Sequence, residues 1–184
     1  AMPNYALCPS VTIEEIVKQM LRATAWLYRT GSRYGAFGNS LYVVGHSAGG
    51  HLAAMMLAAQ WPRYSHDLPE KIVEGALSVS GVYDLTPLLN VPSVNNDVKL
   101  TEETAVKCSP AFMPPATDAP LYITVGGKEI EGFHQQHQEI KTRWADVIAA
   151  DIPCPRDNHF SILETLANPD SELFKTTLRM MKVG

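Results

Sequence analysis

The sequence predicts an α/β fold: a mostly parallel sheet covered by helices on both faces. Two observations carry this. Short, nearly continuous apolar runs recur along the 184 residues, and longer segments with helical spacing lie between them. Strands that are apolar throughout belong in a sheet buried on both sides, which is the setting of parallel strands joined by helices. No repeat of fixed period and no low-complexity tract competes with this reading.

The elements follow in order. Segment 10–30 reads as a helix because Ile13, Ile16, Val17, Met20, Leu21, Thr24 and Leu27 recur at helical intervals. Thr12 with Glu15 forms a capping box, and Gly31 is the expected stop. The run SLYVV at 40–44 is a short strand, and a helix over 48–60 ends before Pro62. EGALSVSG at 74–81 is the next strand, and TEETAVKC at 101–108 is a short helix ended by Pro110. APLYITVGG at 119–127 is the third strand. The 132–144 helix places Phe133, His137, Ile140 and Trp144 roughly on one stripe. ADVIAADIP at 145–153 is the fourth strand, and two closing helices, 160–167 and 171–182, are separated by Asn168-Pro169. Segment 82–118 is the irregular part. It is rich in Pro and Asn and longer than an ordinary connection, so it is expected to line a site.

Composition excludes several classes of function. The net charge of −4 gives no basic field for nucleic acid. No apolar run approaches the roughly 20 residues of a membrane span, and AMPNYALCPS lacks the pattern of a signal peptide. The three cysteines, Cys8, Cys108 and Cys154, are widely and irregularly spaced. They fit packed, reduced thiols in a cytoplasmic protein.

Chemistry concentrates at Gly45-His46-Ser47-Ala48-Gly49, a G-x-S-x-G pattern between a strand and a helix. A nucleophile on such a sharp turn is strained, and the chain on either side passes so close that Gly45 and Gly49 must be small. The helix that follows aims its free N–H groups at the reacting oxygen, and the N–H of Ala48 is one expected oxyanion donor.

Ser47 needs a base, and there are six histidines. His46 is the variable residue of the turn and is expected to point elsewhere. His51, one turn into the helix, suits packing or hydrogen bonding. His66 lies in a polar loop. His134 and His137 have metal-ligand spacing but no carboxylate-rich partner set, so no metal is expected. His159 follows the last predicted strand. In open α/β sheets sites lie at the carboxyl ends of strands, and Ser47 and His159 share that edge. The orienting acid should lie between them in the chain. Glu129 follows the third strand, behind two glycines that permit a tight exit. Asp84, after the second strand, is the alternative, although it also suits a turn-capping role. Glu131 is a further neighbour.

These residues resemble the α/β-hydrolase fold, and within it the kynurenine formamidase and related carboxylesterase branch. The resemblance covers nearly the whole chain. It rests on PNYAL at 3–7, GHSAGGHLAA at 45–54, SGVYDLTPL at 80–88, VKLTEETAVKCSPA at 98–111, VGGKEIEGFHQQ at 125–136 and NHFSILETL at 158–166. It implies a serine nucleophile at Ser47, a base at His159 and the acid at Glu129, where formamidases carry aspartate. That departure leans toward an esterase. The expected substrate is a small ester or aryl formamide, with no metal or organic cofactor. Tyr83, Trp61 and segment 82–118 are candidates for an apolar acyl pocket. The resemblance also implies an N-terminal portion with further strands and an H-G-G oxyanion loop, absent from these residues. The chain is therefore expected to be the C-terminal portion of a single catalytic domain, associating with a segment that is cleaved, disordered or a separate chain. The rival expectation is a non-catalytic, hydrolase-like binding module.

Overall fold

The computed structural model of the chain describes residues 1–35 and 40–183. Four strands, β1 (Leu41–His46), β2 (Val73–Val79), β3 (Leu121–Thr124) and β4 (Ile148–Asp151), form one sheet in the order β1-β2-β3-β4, and every pairing is parallel. Among the described residues the helices are α1 (Ile13–Thr30), α2 (Ala48–Ala58), α3 (Trp61–Tyr64), α4 (Pro92–Val98), α5 (Glu102–Lys107), α6 (Glu131–Arg143), α7 (Ser161–Ala167) and α8 (Glu172–Met180). The predicted parallel sheet with flanking helices is borne out.

Strand alternation sorts the core into two layers. Val43, Ala76, Leu121, Ile123 and Ile148 pack with Val17 and Ala25 of α1, Leu52, Ala53 and Met56 of α2 and Ile140 of α6. Tyr42, Leu77, Val79, Tyr122 and Ala150 face the other way, toward Ile162 of α7 and Leu173 and Met180 of α8. Each fully buried aliphatic side chain contributes roughly 1.5–3 kcal/mol through its burial. Helix α2 is buried on every residue from Gly50 to Leu57, so it carries no polar stripe. All four strands run the same way, and their carboxyl ends therefore form one edge, where the connecting loops meet.

Several boundaries differ from the sequence expectation. Thr12 accepts the Glu15 N–H at 3.2 Å, but the Glu15 side chain pairs with Arg22, so the reciprocal half of the capping box is not made. α1 ends at Thr30 with Gly31 as its cap, as expected, but Gly31 keeps a right-handed φ of −55° and so does not turn the chain away. The chain tightens into a 3-10 turn over Gly31–Tyr34 and breaks at Gly35, whose φ of 85° lies in the left-handed region. Pro62 is the second residue of a new helix, α3, as well as a stop for the old one, because a position in the first helical turn needs no N–H. The fourth strand starts late. Trp144 is buried, its Nε1–H donates to the Met113 carbonyl at 2.8 Å, and a 3-10 turn, Ala145–Val147, follows before β4. Segment 82–118 holds α4, which has no apolar stripe to announce it, together with α5 and a small core of Leu85, Leu100, Ala105 and Cys108. Tyr83 and Trp61 are 0% and 2% exposed, so they are core residues and not walls of an open pocket. The Tyr83 hydroxyl is satisfied internally, donating to Ser78 Oγ at 2.7 Å. No helix among the described residues is long and apolar enough to cross a membrane.

Candidate active site

Ser47 lies between the last residue of β1 and the first of α2, with φ 56° and ψ −117°. A side-chain-bearing residue rarely occupies that region, and the surroundings must hold it there. The Ser47 N–H donates to the Val79 carbonyl at 2.9 Å, which ties the turn to β2, and its carbonyl accepts the His51 N–H at 3.1 Å. A Cβ on Gly45 would stand 2.0 Å from the Gly49 carbonyl oxygen, so the turn closes only over a bare α-carbon. Gly49 behaves otherwise than expected. A Cβ there would meet nothing within 4 Å among the described residues, whereas one on Gly50 would strike Ser78 Oγ at 2.6 Å and Gly81 Cα at 2.8 Å. The crowding falls on Gly50 because its side of α2 faces β2. Ala48 opens α2, so its N–H is one of the donors in the first turn with no acceptor inside the helix.

The loops after β3 and β4 are stitched together. Gly127 N–H donates to the Cys154 carbonyl at 2.9 Å, and Lys128 N–H to the Asp157 carbonyl at 2.8 Å. Cβ atoms on Gly126 and Gly127 would lie 2.5 Å from the Asp157 oxygen and 2.6 Å from the Pro155 oxygen. The two glycines therefore let one loop touch the other, beyond merely easing the exit from the strand. This contact sets Glu129 beside His159. Asn158 shapes the second loop, its side-chain oxygen accepting the N–H groups of Phe160 and Ser161, both at 2.9 Å.

The structure brings three of the expected residues into one line. His159 Nε2 is 3.0 Å from Ser47 Oγ, and His159 Nδ1 is 2.6 Å from Glu129 Oε2. The Glu129 carboxylate is wholly buried, while the imidazole keeps 22% of its surface. A buried carboxylate needs its oxygens satisfied. Glu129 Oε1 accepts from the Ser80 hydroxyl at 2.5 Å and from the Gly126 N–H at 2.8 Å. The other acids lie elsewhere. Asp84 Oδ1 accepts the Thr86 N–H at 2.8 Å as a turn cap, and Glu131 is the first residue of α6.

His159 sits among aromatic rings. Phe133 stacks on it at 4.3 Å between centroids, Phe160 meets it edge-on at 5.5 Å, and His46 lies 4.5 Å away. His46 thus does not point elsewhere. Alternation along β1 puts it on the same face as Tyr42, the face where the His159 loop enters α7. Burial and the neighbouring His159 ring push His46 below the usual imidazole value, and its buried Nε2 has no hydrogen-bond partner among the described residues. His51 is in the core. Its ring N–H donates to the Cys108 carbonyl at 2.6 Å, and burial lowers its pKa. His137 pairs with Asp151 at 2.9 Å. No group of three or more His, Cys, Asp or Glu suited to a metal occurs among the described residues. The sequence places Ser80 inside the strand run 74–81, Phe133 on a helical stripe and His46 pointing elsewhere, so their parts in the site are not anticipated there. β2 ends at Val79, two residues before the predicted strand does, which puts Ser80 directly after the strand, at the edge where sites form.

A family model described as alpha/beta hydrolase fold matches residues 1–136. A kynurenine formamidase of Salmo salar is 32% identical over 188 residues, covering 97% of this chain and 60% of its own length. A crystal structure of a candidate thioesterase from Silicibacter sp. TM1040 superposes with a TM-score of 0.77 at 34% identity, covering 95% of this chain and 62% of that one. Esterase B of Lactobacillus rhamnosis shares the fold, with a TM-score of 0.72 at 18% identity over 97% of this chain and 63% of that one. The chain thus spans about 60% of the length of the kynurenine formamidases it matches.

Proposed function

The chain belongs to the alpha/beta-hydrolase family, and from that premise we propose that it is the catalytic part of a serine hydrolase cleaving a small carboxylic ester or an aryl formamide. The observation that carries the reading is the hydrogen-bonded line from Ser47 Oγ through His159 to the buried Glu129, at 3.0 and 2.6 Å. A binding module has no need of a strained serine facing an imidazole whose other nitrogen meets a buried carboxylate.

In this reading Ser47 Oγ attacks the substrate carbonyl while His159 Nε2 takes its proton. Glu129 holds the ring with Nδ1 protonated and stabilises the imidazolium that forms. The tetrahedral oxyanion takes a hydrogen bond from the Ala48 N–H. As it collapses, His159 returns the proton to the departing alcohol or arylamine, leaving an acyl-serine that water cleaves by the same steps in reverse. The resemblance implies a second oxyanion donor in an H-G-G loop outside these residues. One such donor is worth roughly 10²–10³ in rate. The stack of Phe133 on His159, 4.3 Å between centroids, limits the ring's rotation.

The test uses the protein expressed from its complete reading frame. A fluorophosphonate probe should add once, at Ser47, and Ser47→Ala should abolish both labelling and hydrolysis of p-nitrophenyl acetate. Absence of labelling, with activity unchanged in Ser47→Ala, would overturn the enzyme reading in favour of a binding module. Parallel assays on p-nitrophenyl acetate and N-formylkynurenine then separate esterase from formamidase.

A further inference from the structure

We propose that Ser80 is a positioning residue of this site: its hydroxyl fixes the rotation of the Glu129 carboxylate that holds His159. The proposal rests on the serine-hydrolase reading and adds a fourth residue to it.

The two oxygens of Glu129 divide the work. Oε2 faces His159 Nδ1 at 2.6 Å, and Oε1 takes the Ser80 hydroxyl at 2.5 Å and the Gly126 N–H at 2.8 Å. The last torsion of a glutamate is broad and has no steep rotamer wells. The plane of the carboxylate is therefore set by what its oxygens touch. Gly126 lies three residues away in the same turn, so it moves with Glu129. Ser80 lies just past the end of β2, the strand before, and among the described residues its bond is what ties the carboxylate to β2. An ionised carboxylate only accepts, so the Ser80 proton is committed to Glu129.

Ser80 is itself held for this task. It is 2% exposed, its N–H donates to the Thr124 carbonyl at 2.8 Å, and its φ is 49°. Glycine would hold that backbone without strain, and Gly81 follows directly. A serine kept in the left-handed region, with its hydroxyl on a buried carboxylate, is costly for stability and useful for positioning. A glutamate, longer and looser than an aspartate, needs an anchor on Oε1 if Oε2 is to stay on the imidazole.

The experiment compares fluorophosphonate labelling rates, kcat and KM for the parent, Ser80→Gly, Ser80→Ala, Glu129→Gln and the double variant Ser80→Gly/Glu129→Gln, each in the complete reading frame. Ser80→Gly removes the hydroxyl and relieves the backbone, so it should fold at least as well as the parent. It should nevertheless lose roughly ten- to a hundredfold in labelling rate and kcat, with KM within threefold. In the Glu129→Gln background the same change should cost less than threefold, because no carboxylate remains to be oriented. A purely structural serine would give equal losses in both backgrounds, and that result overturns the proposal. So does a Ser80→Gly protein within threefold of the parent. A parent that does not label at all removes the serine-hydrolase reading, and Ser80's role with it, whereas a labelling parent with unaffected Ser80 variants removes only the latter.

Discussion

Shortening Glu129 to aspartate is the most informative perturbation of this site, because the chain around it cannot follow. The carboxylate would retreat by one methylene, about 1.5 Å. The turn that carries it is pinned by Gly127 N–H on the Cys154 carbonyl at 2.9 Å and Lys128 N–H on the Asp157 carbonyl at 2.8 Å. A contact now 2.6 Å long would open to roughly 4 Å, beyond hydrogen-bond range. Two effects set the size of the loss. A hydrogen bond between charged partners contributes about 1.5–3 kcal/mol. The attraction between carboxylate and imidazolium, about 4 kcal/mol at 4 Å with an effective dielectric of 20, falls by about 1 kcal/mol when the charges move 1.5 Å apart. These overlap and do not simply add. A net loss of about 2–3 kcal/mol in transition-state stabilisation follows, roughly thirty- to two-hundredfold in kcat/KM.

Glu129→Gln provides the control. It keeps the reach and removes the charge, so it should cost more, on the order of 10³–10⁴. The expected order is therefore Glu above Asp above Gln, measured as kcat/KM on p-nitrophenyl acetate and as labelling rate at Ser47. Both variants should bind substrate with KM near the parent's, since neither side chain is placed to touch it. An aspartate variant within threefold of the parent, or one less active than the glutamine variant, would refute the argument from reach.

Two further predictions concern stability. Gly45→Ala would force a Cβ to 2.0 Å from the Gly49 carbonyl oxygen, a backbone clash with no flexible side chain to yield. It should cost more than about 3 kcal/mol in urea unfolding, while Gly49→Ala, with open space around it, should change stability by less than about 1 kcal/mol. His51 supplies a pH dependence. Its folded pKa is depressed by burial, so the unfolded chain binds its proton first. The stability from keeping it neutral is complete above the unfolded value of about 6.5 and is lost as pH falls from there toward the folded pKa. His51→Leu should remove up to about 1.4 kcal/mol per pH unit from the slope of unfolding free energy below pH 6.5, and an unchanged slope would exclude His51 as its source.

The parts of the site legible in the sequence are those that local chemistry dictates. Ser47 announces itself because a strand, a small residue, a serine and a helix must follow one another for the turn to close. His159 and Glu129 could be sought because every parallel strand delivers its next loop to the same edge, so a residue just past a strand is already near the others. What stayed hidden depends on contacts across that edge. The two glycines before Glu129 look like a strand exit, but their tightest neighbours are Asp157 and Pro155, some thirty residues away. His46 looks like the idle position of the turn until the His159 loop is laid against its face of the sheet. Ser80 is the clearest case. Within the run EGALSVSG it reads as one more strand residue, and only the placement of Glu129 by the next strand gives its hydroxyl a partner. The sequence thus shows which residues can do chemistry. The residues that aim them are defined by loops meeting from different strands, and those are where mutation should separate activity from stability.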